Sequence, residues 1–209
     1  MLDIAVLVSG GGTNLQSIID RIADHRLPGV RIVGVIASRP GTLAEQRAKL
    51  AGIPCRTVSR KDYPDLDSYD QAMLDLLKPW NPGLLVLAGF LSLLGPRLVK
   101  AWHNRIINVH PSLIPAFCGP GLYGIRPHEA ALAYGVRITG ATVHLVDENY
   151  DEGPIILQKA VEVHQDDTPQ SLQLRVMKEA EQVILPKAIA LFAAGRIHFE
   201  GRRVVIEGE

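Results

Sequence analysis

Cysteine is scarce in this 209-residue chain, and so is any imbalance of charge. Two cysteines, Cys55 and Cys118, are too few for a disulfide framework, which favours a cytoplasmic location. Lysine plus arginine number 22, as do aspartate plus glutamate. This balance argues against a large nucleic-acid-binding surface, although it leaves a local basic patch possible.

Long apolar runs are also missing, so the sequence predicts no membrane span. The apolar N-terminal segment lacks the basic start of a signal peptide and is interpreted as a strand. Repeats, low-complexity tracts and a clear linker are absent as well. The length suits one domain with a sizeable core, or at most two small ones, and we expect a single domain over residues 1–209.

Apolar runs alternate with amphipathic ones through the first half of the chain. The strands are predicted at 3–9, 30–38, 53–59, 83–89 and 105–109, and the helices at 14–25, 42–52, 67–80 and 96–104. Asp67 or Ser68 is expected to cap the third helix. Strands that are apolar on both faces, with helices between them, predict an α/β fold: a doubly wound, mostly parallel sheet with helices on both faces.

The pattern changes after residue 116. A loop rich in Gly and Pro precedes a short helix at 127–135, two strands at 138–146 and 155–164, and a long helix at 168–195. We expect a kink at Pro186 in the long helix and a terminal hairpin that turns at Gly201.

Three polar or glycine-rich segments each follow a predicted strand. In open α/β sheets, ligands bind outside the carboxyl ends of the strands. We therefore expect residues 9–14, 89–94 and 108–110 to lie close together.

The segment "SGGGTNLQSII" follows the first strand and opens the first helix. Glycines and helix N-terminal N–H groups suit an anion. No Gly-Lys-Ser/Thr follows, and Leu15 replaces the third glycine of a dinucleotide loop. The pattern favours a single phosphate. The alternative is a tight turn with Thr13 or Asn14 capping the helix.

Asn108 and His110 lie two residues apart at the end of a strand and are expected to point to the same side. An amide can donate to a developing oxyanion, and an imidazole can move protons near neutral pH. The acids needed beside them are concentrated in residues 147–152, where Asp151 precedes a Gly-Pro turn. A structural role for His110 remains open, whereas the histidine spacing makes a metal site the weaker alternative.

The segments "NVHPSLIP", "LAGFL", "SGGGTN" and "DEGPIILQ" resemble the folate-dependent formyltransferases over residues 4–195. This resemblance implies a Rossmann-like formyltransferase domain, with a phosphate- and substrate-binding half (1–110) and a folate and catalytic-loop half (111–209). It also implies transfer of the formyl group of 10-formyltetrahydrofolate to the amine of glycinamide ribonucleotide. The products would be formylglycinamide ribonucleotide and tetrahydrofolate, in de novo purine (IMP) biosynthesis.

Residue roles follow from the resemblance alone. The catalytic residues would be Asn108, His110 and Asp151. The substrate-binding residues would be Gly11, Gly12, Thr13, Asn14 and Glu181. The folate-binding residues would be Leu91, Ser92, Leu93, Leu94, Asn108 and Asp147. His144 would support the catalytic residues without a catalytic role of its own. The resemblance implies small-molecule partners, a monomer or homodimer, and no metal, nucleic acid or membrane.

The sequence departs from the family pattern in places. Ser92 stands where many members have arginine. Leu66 stands where some members have an arginine near the folate tail, and Arg60 and Lys61 are the candidates to replace it. The loop after Pro115 is longer than usual, which leaves Tyr123, Arg126 and His128 without assigned roles. The alternatives are a formyltetrahydrofolate hydrolase, another folate-dependent formyltransferase such as one acting on methionyl-tRNA, and a non-catalytic nucleotide-binding module.

Overall fold

The structure is a computed structural model that describes residues 1–149 and 151–208. Its contacts divide the chain into two compact units, Met1–Asn108 and Val109–Glu209. None of the helices in these described ranges combines the length and apolar character that a membrane span requires.

The first unit alternates strands with helices. Its strands are β1 (Leu2–Val8), β2 (Val30–Ala37), β3 (Cys55–Thr57), β4 (Leu84–Leu87) and β5 (Ile106–His110), the last of which ends in the second unit. Its helices are α1 (Thr13–Ala23), α2 (Leu43–Leu50), α3 (Leu66–Trp80) and α4 (Pro96–Ala101). Strand β1 pairs parallel with β2 and β4, β2 pairs parallel with β3, and β4 pairs parallel with β5.

The strands of the first unit are buried along most of their length. Residues 4–8 of β1 and 84–86 of β4 are fully buried. Parallel strands covered on both faces need apolar side chains at every position, which explains why these runs do not alternate. Helix α1 contributes Leu15 and Ile18 to the core.

The second unit has antiparallel pairing. It contains α5 (Arg126–Tyr134), β6 (Ile138–Leu145), β7 (Ile155–Glu162), α6 (Pro169–Val176), α7 (Gln182–Ala193), β8 (Ile197–Glu200) and β9 (Arg203–Ile206). Strands β6 and β7 pair antiparallel, as do β8 and β9 in the predicted terminal hairpin.

The strand order is β3-β2-β1-β4-β5-β6-β7, with β8 and β9 forming a separate pair. The predicted doubly wound, mostly parallel α/β fold is confirmed. The winding direction reverses between β1 and β4, and ligands bind at such reversals in open sheets. This places the loops after β1 and β4 where a ligand is expected.

The predicted start and cap of the third helix are wrong. Helix α3 begins one residue before the predicted start, and its cap is Asp65, whose side chain accepts from the Ser68 N–H at 2.8 Å. The long helix also contains a π-helical turn at Met177–Glu181, which was not predicted, and Pro186 lies inside α7, where the kink stays a prediction. The helix widens one turn before the proline, whose missing N–H already interrupts the hydrogen-bond ladder.

Candidate active site

The glycine loop turns from β1 into α1 through a left-handed residue. Gly12 is the N-cap, with φ +67°, so the alternative in which Thr13 or Asn14 caps the helix is wrong. A Cβ on Gly12 would lie 2.8 Å from Cα of Ala44, so only glycine fits. A glycine cap offers no side-chain acceptor to the first turn, which suits an anionic ligand.

The loops after β1 and β4 meet, as predicted. The Leu91 N–H donates to Oγ of Ser9 at 2.8 Å, and the Ser9 N–H donates to the Gly89 carbonyl at 3.1 Å. Leu91 is 57% exposed and Leu93 is 38% exposed, although both are apolar. Exposed leucines at a ligand-binding edge provide a surface on which a planar apolar ring can pack.

A buried carboxylate holds the far end of the Leu91–Leu94 segment. Asp70 is fully buried on α3, and it accepts from the Gly95 N–H at 2.8 Å and the Leu98 N–H at 3.0 Å. These N–H groups lie at the start of α4, where a carboxylate is favourable. The segment is therefore anchored at both ends.

Asn108 lies at the carboxyl end of β5, in register with Leu87 of β4. Its neighbours on either side, Ile107 and Val109, are buried, whereas Asn108 itself is partly accessible. Strand alternation directs Asn108 and His110 to the same side of the strand.

The structure brings together His110 and Asp151, 41 residues apart in the chain. Nδ1 of His110 lies 3.5 Å from Oδ2 of Asp151, and both side chains are largely buried. Oδ2 also accepts from the Gly119 N–H at 2.9 Å, while Nε2 of His144 lies 3.6 Å from Oδ1. Asp151 has a left-handed backbone, with φ +54°. Three groups therefore surround one carboxylate.

Their environment lowers the pKa values of both the acid and the imidazole. Burial acts to raise the pKa of Asp151, but His144, the charge of His110 and the Gly119 N–H outweigh it, so the pKa is lowered. Burial lowers the pKa of His110 despite the opposing effects of Asp151 and the Phe117 carbonyl. An ionised carboxylate beside a neutral imidazole results.

Hydrogen bonds to carbonyl groups identify the protonated ring nitrogens. Nε2 of His110 lies 3.0 Å from the Phe117 carbonyl oxygen, and Nδ1 of His144 lies 2.7 Å from that of Leu145. Because a carbonyl only accepts, each of these nitrogens carries the proton. In neutral His110 the Nδ1 lone pair then faces Asp151.

A cavity of about 740 Å³ lies beside Asp151 within the second unit. Ile114, Pro115 and Pro154 contribute apolar surface to it, and Arg202 and Arg203 contribute guanidinium groups. The Arg202 guanidinium donates to the carbonyl of Glu152, directly after Asp151. The terminal hairpin thus holds the turn that carries the acid.

The remaining predicted residues lie on the second unit. Glu181 ends the π-helical turn and is partly exposed; such turns are frequent at functional sites. Oδ1 of Asp147 accepts from the Asn149 N–H at 2.9 Å. Tyr150, in the acid-rich segment 147–152, is outside the described residues.

The chain matches the formyl transferase family over residues 2–189. It belongs to this family. The matched range contains every residue for which a catalytic or binding role was predicted, and within the described residues no group of three His, Cys, Asp or Glu side chains is arranged to hold a metal.

Relatives in the family are similar over most of the chain. Phosphoribosylglycinamide formyltransferase of Mycobacterium tuberculosis is 39% identical, covering 97% of this chain and 93% of that protein. The crystal structure of glycinamide ribonucleotide transformylase 1 from Symbiobacterium toebii is 42% identical, with a TM-score of 0.92, covering 99% of this chain and 94% of that one.

Longer relatives also match. The trifunctional purine biosynthetic protein adenosine-3 of Bos taurus is 40% identical over 194 residues, which are 93% of this chain. The chain spans only 18% of the length of that protein.

Two features of the site were not predicted from the sequence. The Phe117 carbonyl meets His110, and His128 is fully buried with neither ring nitrogen hydrogen-bonded in the described part of the chain. The only sequence signal for the burial of His128 is its position beside alanines on a short helix. Nothing in the pattern indicates the path of the Gly- and Pro-rich loop before it.

Proposed function

We propose that the chain transfers the formyl group of 10-formyltetrahydrofolate to the amine of glycinamide ribonucleotide in purine biosynthesis. The observation that carries the proposal is the 3.5 Å contact between His110 and Asp151, in a chain of the formyl transferase family. The names of the full-length relatives support the choice of acceptor.

The reaction exchanges one C–N bond for another. The acceptor amine attacks the formyl carbon and forms a tetrahedral intermediate with an oxyanion. The bond from carbon to N10 of the folate then breaks, and the proton lost by the amine reaches N10. The products are formylglycinamide ribonucleotide and tetrahydrofolate.

The side-chain amide of Asn108 donates to the oxyanion in this proposal. The Nε2–H of His110 is a second donor, and it would exchange the Phe117 carbonyl for the formyl oxygen. Removal of one donor of this kind typically costs about 3 kcal/mol of transition-state stabilisation. Asn108→Ala should therefore lower kcat by roughly 10²–10³-fold.

The pair of His110 and Asp151 receives the proton released by the amine. Nδ1 of His110 and Oδ2 of Asp151 both accept hydrogen bonds and lie 3.5 Å apart. A proton that arrives between them is therefore held by both atoms. The ionised carboxylate stabilises the imidazolium that forms, and the pair then returns the proton toward N10 through water. Positioned acid–base help is typically worth roughly 10²–10⁴-fold.

The binding roles also remain part of the proposal. Residues 11–14 would hold the phosphate and Glu181 the ribose of the nucleotide, while residues 91–94 and Asp147 would contact the folate. The first half, 1–110, would bind the nucleotide, and the second half, 111–209, would supply the catalytic loop and folate contacts.

The proposed setting follows from the same chemistry. Both substrates are small molecules, so no nucleic acid or membrane is needed as a partner. The proposal includes a cytoplasmic location and a monomer or homodimer.

Folate release with and without glycinamide ribonucleotide tests the function. Amine-dependent release of tetrahydrofolate supports the proposal. Release without the amine indicates a hydrolase, and no release in either case indicates a binding module.

Matched variants test the site. His110→Ala should abolish turnover with an unchanged fold, whereas His103→Ala, at an exposed histidine, should keep it. Asp151→Asn should lower kcat strongly, and Asp166→Asn, at an exposed acid, should not. Near-normal turnover of His110→Ala would show that the assigned role is wrong.

A further inference from the structure

Three successive carbonyl groups of the glycine loop accept hydrogen bonds from a single segment, residues 39–47. Nε of Arg39 donates to the Ser9 carbonyl at 3.0 Å. The Ala44 N–H donates to the Gly10 carbonyl at 3.2 Å. Nε of Arg47 donates to the Gly11 carbonyl at 2.9 Å.

These bonds determine where the N–H groups of the loop point. In a trans peptide the C=O and N–H are antiparallel, and the peptides of this loop are trans. The N–H groups of Gly10, Gly11 and Gly12 therefore point away from residues 39–47. Within the described ranges, none of the three has a hydrogen-bond acceptor. Successive N–H groups on one side of a loop form a concave site for an anion.

Arg47 also links this loop to the helix that follows it. Its Nη1 donates to Oε1 of Gln16 at 2.9 Å, in the first turns of α1. The guanidinium is half-buried and spans two partners. Lysine has no fixed fork with which to reproduce this bridge.

Within the described ranges, neither Arg39 nor Arg47 forms an ion pair with an acid. Two positive charges thus stand behind the loop, where they favour a doubly charged phosphate on its open side.

We propose that Arg39 and Arg47 are positioning residues for the phosphate monoester of the nucleotide substrate. They hold the Ser9 and Gly11 carbonyls away from the anion, beside the Gly10 carbonyl that the Ala44 N–H holds, and they add charge that attracts the anion. The inference rests on the proposed function for the identity of the nucleotide, but the anion-binding geometry stands on the loop itself.

The phosphate is remote from the reacting amine, so it contributes equally to substrate and transition-state binding. Loss of such binding raises KM and leaves kcat unchanged. Arg47→Met removes a positive charge from behind the anion and releases the Gly11 carbonyl, so the KM for glycinamide ribonucleotide should rise by about tenfold or more. Arg39→Met, at the exposed arginine, should give a smaller rise.

Two further variants separate position from charge. Arg47→Lys keeps the charge but breaks the bridge, so its KM should lie between those of the wild type and Arg47→Met. Arg31→Met is the matched control, because Arg31 pairs with Asp3 and contacts no loop carbonyl. Its KM should match that of the wild type. The difference in KM between the wild type and Arg47→Met should be smaller at high salt, because salt screens the charge of Arg47.

Inorganic phosphate is a second probe, and its binding is measured by calorimetry without turnover. Weaker phosphate binding by Arg47→Met than by Arg31→Met supports the proposal even if the wild type does not formylate glycinamide ribonucleotide. Equal phosphate affinity and equal KM in folded Arg47→Met, Arg47→Lys and wild-type protein would overturn it. If Arg47→Met does not fold, Arg47→Lys and Arg39→Met decide by the same two measurements.

Discussion

Acid should weaken the folding of this chain through His128. This side chain is fully buried on α5, and burial, with a further effect from the charge of His110, lowers its pKa to about 4. An unfolded histidine titrates near 6.5. Below that pH the unfolded chain binds a proton at this histidine that the folded chain does not bind. The free energy of unfolding therefore decreases as the pH decreases.

The magnitude follows from the difference between the two pKa values. A lowering of the pKa from 6.5 to about 4 corresponds to about 3 kcal/mol of folding free energy, because each pKa unit is worth about 1.36 kcal/mol. Of this, about 2.5 kcal/mol should be lost between pH 7.5 and pH 4.5. That is a large part of the stability of an ordinary domain.

His128→Leu removes the titrating group and leaves no unpaired ring nitrogen. The free energy of unfolding, measured with urea at pH 7.5, 6.5, 5.5 and 4.5, should fall by about 2.5 kcal/mol less in this variant than in the wild type. His110 also has a lowered pKa, so the variant should keep some pH dependence.

An exposed histidine supplies the control. His103→Leu should follow the wild-type pH dependence. If His128→Leu and the wild type differ by the same free energy at pH 7.5 and at pH 4.5, a neutral, buried His128 is refuted.

Three further substitutions test how the site is held. Gly12→Ala should destabilise the fold by about 2 kcal/mol, because of its positive φ and its contact with α2, whereas Gly10→Ala, which has open space around it, should be near neutral in a urea titration. Asp70→Asn should cost about 1–3 kcal/mol, since Asn keeps only one of the two acceptor oxygens and leaves one buried N–H without an acceptor; Asp67→Asn, in an exposed ion pair, should cost about 1 kcal/mol at most. Arg202→Met should lower kcat severalfold, because it frees the turn that carries Asp151, the proposed proton acceptor, and an unchanged kcat would contradict that reasoning.

The sheet could be predicted because parallel strands are buried on both faces and leave long apolar runs in the sequence. The start of α3 was missed by a residue because Asp65, Asp67 and Ser68 are all good caps, and only the backbone decides among them. The π-helical turn at Met177–Glu181 leaves no signal in an amphipathic pattern.

The site could be predicted in part. The resemblance identified His110 and Asp151 despite their separation in the chain, because the motifs around them are distinctive. The partners that surround them depend on the path of a loop rich in glycine. Neither the Phe117 carbonyl on His110 nor the bond from Arg202 to the turn that carries Asp151 follows from local pattern. The arginines behind the glycine loop were missed because they donate to carbonyl groups, which carry no residue-type signal.

The central claim is that His110 and Asp151 serve formyl transfer to an amine. The most direct measurement follows a formyl carbon labelled with ¹³C from 10-formyltetrahydrofolate by NMR, with glycinamide ribonucleotide present. The account predicts that the label appears in the formyl amide of the nucleotide with the wild-type protein and at a much lower rate with Asp151→Asn. Label released as free formate at the same rate with and without the amine, or an amide formed equally fast by Asp151→Asn, would contradict it.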